Sequence, residues 1–321
     1  MNKNTGSETS FFPDWPYTNA SQFISAADIT WHVQTLGLTT NKKQKTLENN
    51  KNKAPVIFFI HGTGSSTHSW ANLIPHLEEH FEIICIDLPG HGFTEMPPSK
   101  KLSLPNVADM VQRLLEKMNV NPDMVIGHSA GAAVLTQLCL SKSTQYQFTK
   151  RQFSQPKALI SINGALLPLS GVAAHIFSPA AKLLANISFI PNFFTKRAKD
   201  PNVAKRMVKQ TGSVLSPQDI EKYHHLLSSP KHVNAALQMM ANWNLENLGK
   251  EFPKLEPELH LIACENDQTI SINESRRVHK WMVNSFLHEI PALGHLGHEE
   301  EPTTFARLIL EIAEKHKLID Q

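Results

Sequence analysis

Ser129, Asp267 and His295 stand far apart along the chain, but their side chains have the chemistry of one catalytic unit. A serine hydroxyl can attack a carbonyl carbon, a histidine can take its proton, and an aspartate can fix the imidazole tautomer and stabilise the imidazolium. Ser129 lies in "VIGHSAGAAVL" (125–135), where the pattern is Gly127-His128-Ser129-Ala130-Gly131. In such a pattern a strand ends and a helix begins within one or two residues, so the serine is held in strained backbone geometry. Side chains two positions before or after it would strike the neighbouring strand or helix, and Gly127 and Gly131 remove them. The backbone N–H groups of Ala130 and of Thr63, in the glycine-rich "HGTGSS" (61–66), are expected to form an oxyanion hole.

The elements that must position these groups are legible as apolar runs. They are "PVIFFIHG" (55–62), "EIICIDLPG" (82–90), "DMVIGHS" (123–129), "PKALISING" (156–164), "ELHLIACEND" (258–267) and "SFLHEIPALGH" (285–295). Near-continuous apolar strands separated by helical stretches imply an α/β fold, a mainly parallel central sheet with helices on both faces. Functional groups in such sheets collect at the carboxyl ends of the strands, and there the chain places "HGTGSS", "DLPGHGFT" (87–94), Ser129, Asp267 and His295. His298 competes with His295 as base, but His295 directly follows a strand and Gly294. Glu265 competes with Asp267, whereas Asp123 precedes the elbow strand at its wrong end. The expected organisation is an N-terminal extension at 1–28, a core at 29–164 and 251–321, and a helical cap inserted at 165–250. Such a cap is placed to act as a lid.

Other functions find little support. The chain carries 31 Lys+Arg against 29 Asp+Glu, a net charge of +2, which gives no electrostatic basis for nucleic-acid binding. Its 17 histidines form no H-E-x-x-H, and "HEEE" at 298–301 lacks a second histidine, so no metal site is expected; His224 and His225 read as solvated or packing residues. "GTGSS" lacks the lysine of a phosphate loop, and no cofactor is expected. Cys85, Cys139 and Cys264 lie within apolar runs, as reduced core residues do. No apolar leader is evident in "MNKNTGSETS", and no uninterrupted apolar run is long enough to span a bilayer. The most apolar region, 164–195, has Lys182 as its only formal charge and is divided by Pro168, Pro179 and Pro191. It is expected to line a pocket for a large apolar small-molecule substrate. A cytoplasmic protein, at most peripheral to a membrane, is the expectation.

With these motifs the chain resembles the α/β-hydrolases, whose order of nucleophile, acid and base it follows. Further stretches narrow the resemblance: "WPYTNASQFISAADITWHVQTLG" (15–37), "HGTGSSTHSW" (61–70), "SINGALLP" (161–168), "TGS" (211–213), "PKHVNAALQMMANWNL" (230–245) and "LGHLGHEEEP" (293–302). Together they resemble the magnesium-chelatase accessory proteins of bacteriochlorophyll biosynthesis. That resemblance implies an accessory role at or near magnesium insertion into protoporphyrin, with a tetrapyrrole as ligand and chelatase subunits as partners. The alternatives are a carboxylesterase or carbon–carbon bond hydrolase unrelated to tetrapyrroles, and a non-catalytic porphyrin-binding accessory that retains the triad as inheritance.

Overall fold

A computed structural model describes residues 12, 14–38, 54–98, 102–141, 154–168, 195–197 and 200–320. The polar stretch 39–53 and residues 169–194, most of the apolar region expected to line a pocket, lie outside the described residues.

The strands are β1 (Ser21–Ala26), β2 (Ile29–Gly37), β3 (Val56–Ile60), β4 (Glu82–Ile86), β5 (Met124–His128), β6 (Ala158–Ile162), β7 (Glu258–Cys264) and β8 (Ser285–Ile290). They form an 8-stranded sheet in the order β1-β2-β4-β3-β5-β6-β7-β8. From β4 to β8 every pairing is parallel, and β1 and β2 close one edge antiparallel. The sheet therefore begins at Ser21, inside the stretch read from sequence as an extension. Neither β1 nor β2 has the unbroken apolar run by which the other strands are recognised; the exposed edge strand β1 reads "SQFISA".

Strand alternation divides the core. Phe58 and Ile60 of β3 pack on one face with helices α1 (Leu104–Met118) and α2 (Ala130–Leu140). Ile57 and Phe59 pack on the other with Trp70, Phe81 and Phe305, the last from the C-terminal helix (Pro302–Lys315). Both faces of each central strand are covered, which is why its sequence is apolar throughout.

Between β6 and β7 the chain forms α3 (Pro201–Gln210), α4 (Pro217–Leu227) and α5 (Pro230–Asn242). Each starts with proline in its first turn behind a capping side chain, Asp200, Ser216 or Ser229. A small cluster of Ala204, Val208, Leu215 and Tyr223 packs α3, α4 and the loop between them against Leu296, next to His295. After β7 comes α6 (Ile272–Trp281), and after β8 the C-terminal helix, α7. Among the described residues no helix is long and apolar enough to cross a membrane.

Candidate active site

At the end of β5 the backbone of Ser129 turns to φ 50° and ψ −114°. A non-glycine residue in such a conformation costs on the order of 1–3 kcal/mol and persists only where its surroundings hold it. Here they do: the Ser129 N–H donates to Ile162 O at 3.0 Å, and its carbonyl accepts from Ala132 at 3.2 Å and Ala165 at 3.0 Å. The flanking glycines allow the approach. A Cβ on Gly127 would stand 2.4 Å from Ala132 N, and one on Gly131 would stand 2.1 Å from Ile60 O. Helix α2 can thus start directly against β3, with the Ala130 N–H at its first turn.

His295 and Asp267 meet across the loops that follow β8 and β7. His295 Nδ1 donates to Asp267 Oδ2 at 2.7 Å, and the Asp267 side chain is fully buried. Asp267 Oδ1 accepts from the N–H groups of Thr269 at 2.7 Å and Ile270 at 2.8 Å, so both oxygens are satisfied and the carboxylate is fixed. His298, the competing base, lies elsewhere: its Nε2 is 3.0 Å from Ser69 Oγ.

Side chains that the sequence reading left without a role hold these loops together. His128 Nε2 donates to the carbonyl of His295 at 2.9 Å. Asn163, with φ 44°, donates to the same carbonyl at 2.9 Å and accepts from the Cys264 N–H at 2.8 Å. The segment "TGS" (211–213) is stitched to both loops. Thr211 O accepts from His295 N at 3.2 Å and from Gln268 N at 3.1 Å, and Ser213 Oγ accepts from Leu296 N at 2.8 Å. Beyond its part in the resemblance, the triplet has no chemistry of its own to mark this role, apart from the glycine, whose φ of +85° marks a tight turn.

The loop carrying Thr63 approaches the elbow directly, since a Cβ on Gly62 would stand 3.0 Å from Ser129 Cβ. Among the described residues neither Thr63 N nor Ala130 N donates to a backbone carbonyl. Asp87, at the end of β4, organises this region. It accepts from Thr67 N at 2.7 Å and Phe93 N at 2.9 Å and pairs with His32 Nδ1 at 2.7 Å. Burial alone would raise its pKa, but His32 and the other donors hold it below the usual carboxylate range. It thereby ties Thr67, directly after "HGTGSS", to "DLPGHGFT" with a fixed charge.

Behind His295 lies a buried polar chain. The rings of His128 and His295 are 4.6 Å apart, as are those of His128 and His298. Burial, and secondarily the neighbouring histidines, push the pKa of His128 well below its ordinary value. Burial, then His295, push His298 down to about 3, so both rings are neutral at pH 7. Ser69 and Tyr223 donate to Glu299 Oε1, Tyr223 at 2.6 Å. Burial nevertheless raises Glu299 to about 8.

Residues 57–308 match the model of the alpha/beta hydrolase family. The chain belongs to that family. This alpha/beta hydrolase is 29% identical over 298 residues to the magnesium-chelatase 30 kDa subunit of Rhodobacter capsulatus, covering 93% of this chain and 96% of that one. It is 25% identical over 255 residues to the hydrolase YugF of Bacillus subtilis, covering 78% of this chain and 87% of the relative. Among solved structures, a thermophilic esterase from Thermogutta terrifontis superposes with a TM-score of 0.67 at 19% identity, 92% of this chain and 98% of that chain being covered. That likeness concerns the fold. The hydrolase fold and the similarity to a magnesium-chelatase subunit are both as the sequence motifs imply.

Proposed function

We propose that the chain is a serine hydrolase with Ser129 as nucleophile, His295 as base and Asp267 as the orienting acid. The observation that carries this reading is the buried 2.7 Å hydrogen bond from His295 Nδ1 to Asp267 Oδ2, on the sheet edge where the strained Ser129 elbow stands. With Nδ1 bound to the carboxylate, Nε2 is the nitrogen left to take the Ser129 proton as Oγ attacks a carbonyl carbon. The tetrahedral oxyanion is held by the N–H groups of Thr63 and Ala130, each such donor being worth roughly a hundredfold to a thousandfold in rate. His295 then protonates the leaving group, and water, deprotonated by the same imidazole, releases the acyl group and restores the serine.

The substrate is a large apolar molecule bearing an ester, thioester or activated carbon–carbon bond, and the insertion at 165–250, which carries α3, α4 and α5, is its lid. Similarity to a magnesium-chelatase subunit over 93% of the chain supports a role beside magnesium insertion into protoporphyrin in (bacterio)chlorophyll biosynthesis, with chelatase subunits as partners. Rapid labelling by a fluorophosphonate in wild type and none in Ser129→Ala is the expected result. Equal labelling of the two would remove the hydrolase reading. Protoporphyrin is expected to quench Trp243, a buried residue at the end of α5. Porphyrin binding without labelling would instead favour a non-catalytic accessory.

A further inference from the structure

A second group of chemistry-bearing side chains lies at the opposite end of β7 from Asp267. β7 runs Glu258–Cys264, so at about 3.3 Å per residue its first residue is roughly 20 Å from the loop carrying Asp267. There Glu258, His260 and His316 each offer one ligand atom, and these atoms all lie within 4.8 Å of one another. Glu258 Oε2 is 3.1 Å from His316 Nε2 and 3.4 Å from His260 Nε2.

The His260 side chain is 3% exposed, and its Nε2 makes no hydrogen bond of acceptable geometry. Its other nitrogen, Nδ1, is 3.3 Å from His288 Nε2. When Nδ1 carries the proton and donates it to His288, the Nε2 lone pair of His260 points toward the lone pairs of a carboxylate. In that tautomer a buried acceptor faces another acceptor, and a cation between them removes the conflict; the opposite tautomer aims Nε2–H at Glu258 from 3.4 Å without an acceptable hydrogen bond.

We propose that Glu258, His260 and His316 bind a divalent transition metal of the zinc class, which fastens the end of α7 to the start of β7. Two lines of geometry support the assignment. Ligands about 2.0–2.1 Å from a tetrahedral zinc stand about 3.3 Å from one another, close to the 3.1 and 3.4 Å that separate Glu258 from the two histidines. The donor set of two imidazoles and a carboxylate suits zinc, nickel or copper, whereas magnesium and calcium take oxygen. The His260–His288 contact then acts as the outer-shell hydrogen bond that orients a metal-bound histidine. Glu258 and His260 are two positions apart on one strand, but His316 is too distant in sequence for any short metal motif to include it.

In the metal-free chain Lys315 serves as the cation. Its Nζ is 2.7 Å from Glu258 Oε2 and 3.6 Å from the centre of the Phe286 ring, with a side chain 44% exposed. It can swing into solvent when a metal enters. This makes the proposal distinguishable from an ordinary surface ion-pair cluster. If the cluster is only an ion pair, Lys315→Gln merely weakens it. If it is a metal site, removing the competing cation tightens metal binding.

The test is calorimetric titration of the chelator-treated full chain with zinc, together with thermal melts. Uptake at about 10 µM protein is expected, weakened at least about tenfold in His316→Ala and Glu258→Gln and strengthened in Lys315→Gln. Both ligand positions are partly exposed, and fluorophosphonate labelling together with circular dichroism serves as the control for folding. Zinc is expected to raise the melting temperature of wild type and not of His316→Ala. Absence of uptake, or uptake that is equal in wild type, His316→Ala and Glu258→Gln, would overturn the proposal.

Discussion

His128 Nε2 donates to the main-chain carbonyl of His295 at 2.9 Å. The residue just before the candidate nucleophile therefore grips the loop that carries the candidate base. His128→Ala is expected to lower aryl-ester turnover by about 10- to 100-fold, since small displacements of reacting groups have effects of that size. Asn163 holds the same carbonyl, so the double variant His128→Ala, Asn163→Ala should lose more than either single change. Steady-state kinetics with unchanged circular dichroism would check this, and wild-type turnover in His128→Ala would show that the grip is dispensable.

Ser129→Ala and His295→Ala should each reduce turnover to background, because members of such a unit fail together rather than additively. Asp267→Asn should cost less than either, yet still several orders of magnitude, since the two N–H groups on Asp267 Oδ1 hold the side chain in place whereas the tautomer of His295 becomes wrong. Measured kcat for the three variants gives the ranking.

Gly212→Ala should destabilise the protein by about 1–3 kcal/mol or more, as residues forced into unfavourable backbone conformations do. Its φ is +85°, and an added Cβ would stand 2.0 Å from Asn266 O, on the loop that carries Asp267. Gly294 faces the same turn, where its own Cβ would meet Gly212 at 2.3 Å. Denaturant titration should show the loss of stability, and slower fluorophosphonate labelling should accompany it because the acid and base loops share this contact.

Stability should fall on both sides of neutrality, for different groups. Burial holds His298 at about 3 against an ordinary 6.5, so the unfolded chain takes up a proton that the folded chain refuses. That contribution is full above 6.5 and is lost as pH falls toward 3. His128, His68 and His91 are depressed by burial in the same sense, and each adds up to about 1.4 kcal/mol per pH unit. Glu299 runs the other way: burial raises it to about 8 from 4.5, so its contribution is full below 4.5 and is lost as pH rises through 8. Several histidines outweigh one carboxyl below pH 6.5, and the carboxyl governs the alkaline side. Melting temperatures should therefore drop from pH 6.5 to 5 and again from pH 7 to 9, and Glu299→Gln should flatten only the second limb. An alkaline limb unchanged by Glu299→Gln would assign it to another group.

The sequence by itself determined strands β3 to β8, the elbow and the candidates at the carboxyl ends of those strands, because those features are local. An apolar run such as "VIFFI" must be buried on both faces, and glycines two positions either side of Ser129 announce a turn that needs them. Strands β1 and β2 escaped the same reading: β1 stands at an edge with exposed side chains, and His32, Gln34 and Thr35 break the apolar run of β2 although it is paired on both sides. What tertiary structure alone decided is which groups meet. His295, favoured over His298 by its place after a strand, meets Asp267 at 2.7 Å, and the grip of His128 on His295 spans 167 positions in the chain. The roles of Asp87, Asn163 and "TGS", and the convergence of Glu258, His260 and His316, likewise depend on loops brought together by the sheet. Hydrogen bonds act over about 3 Å in space, and residue spacing along a chain carries no record of that distance once a fold intervenes.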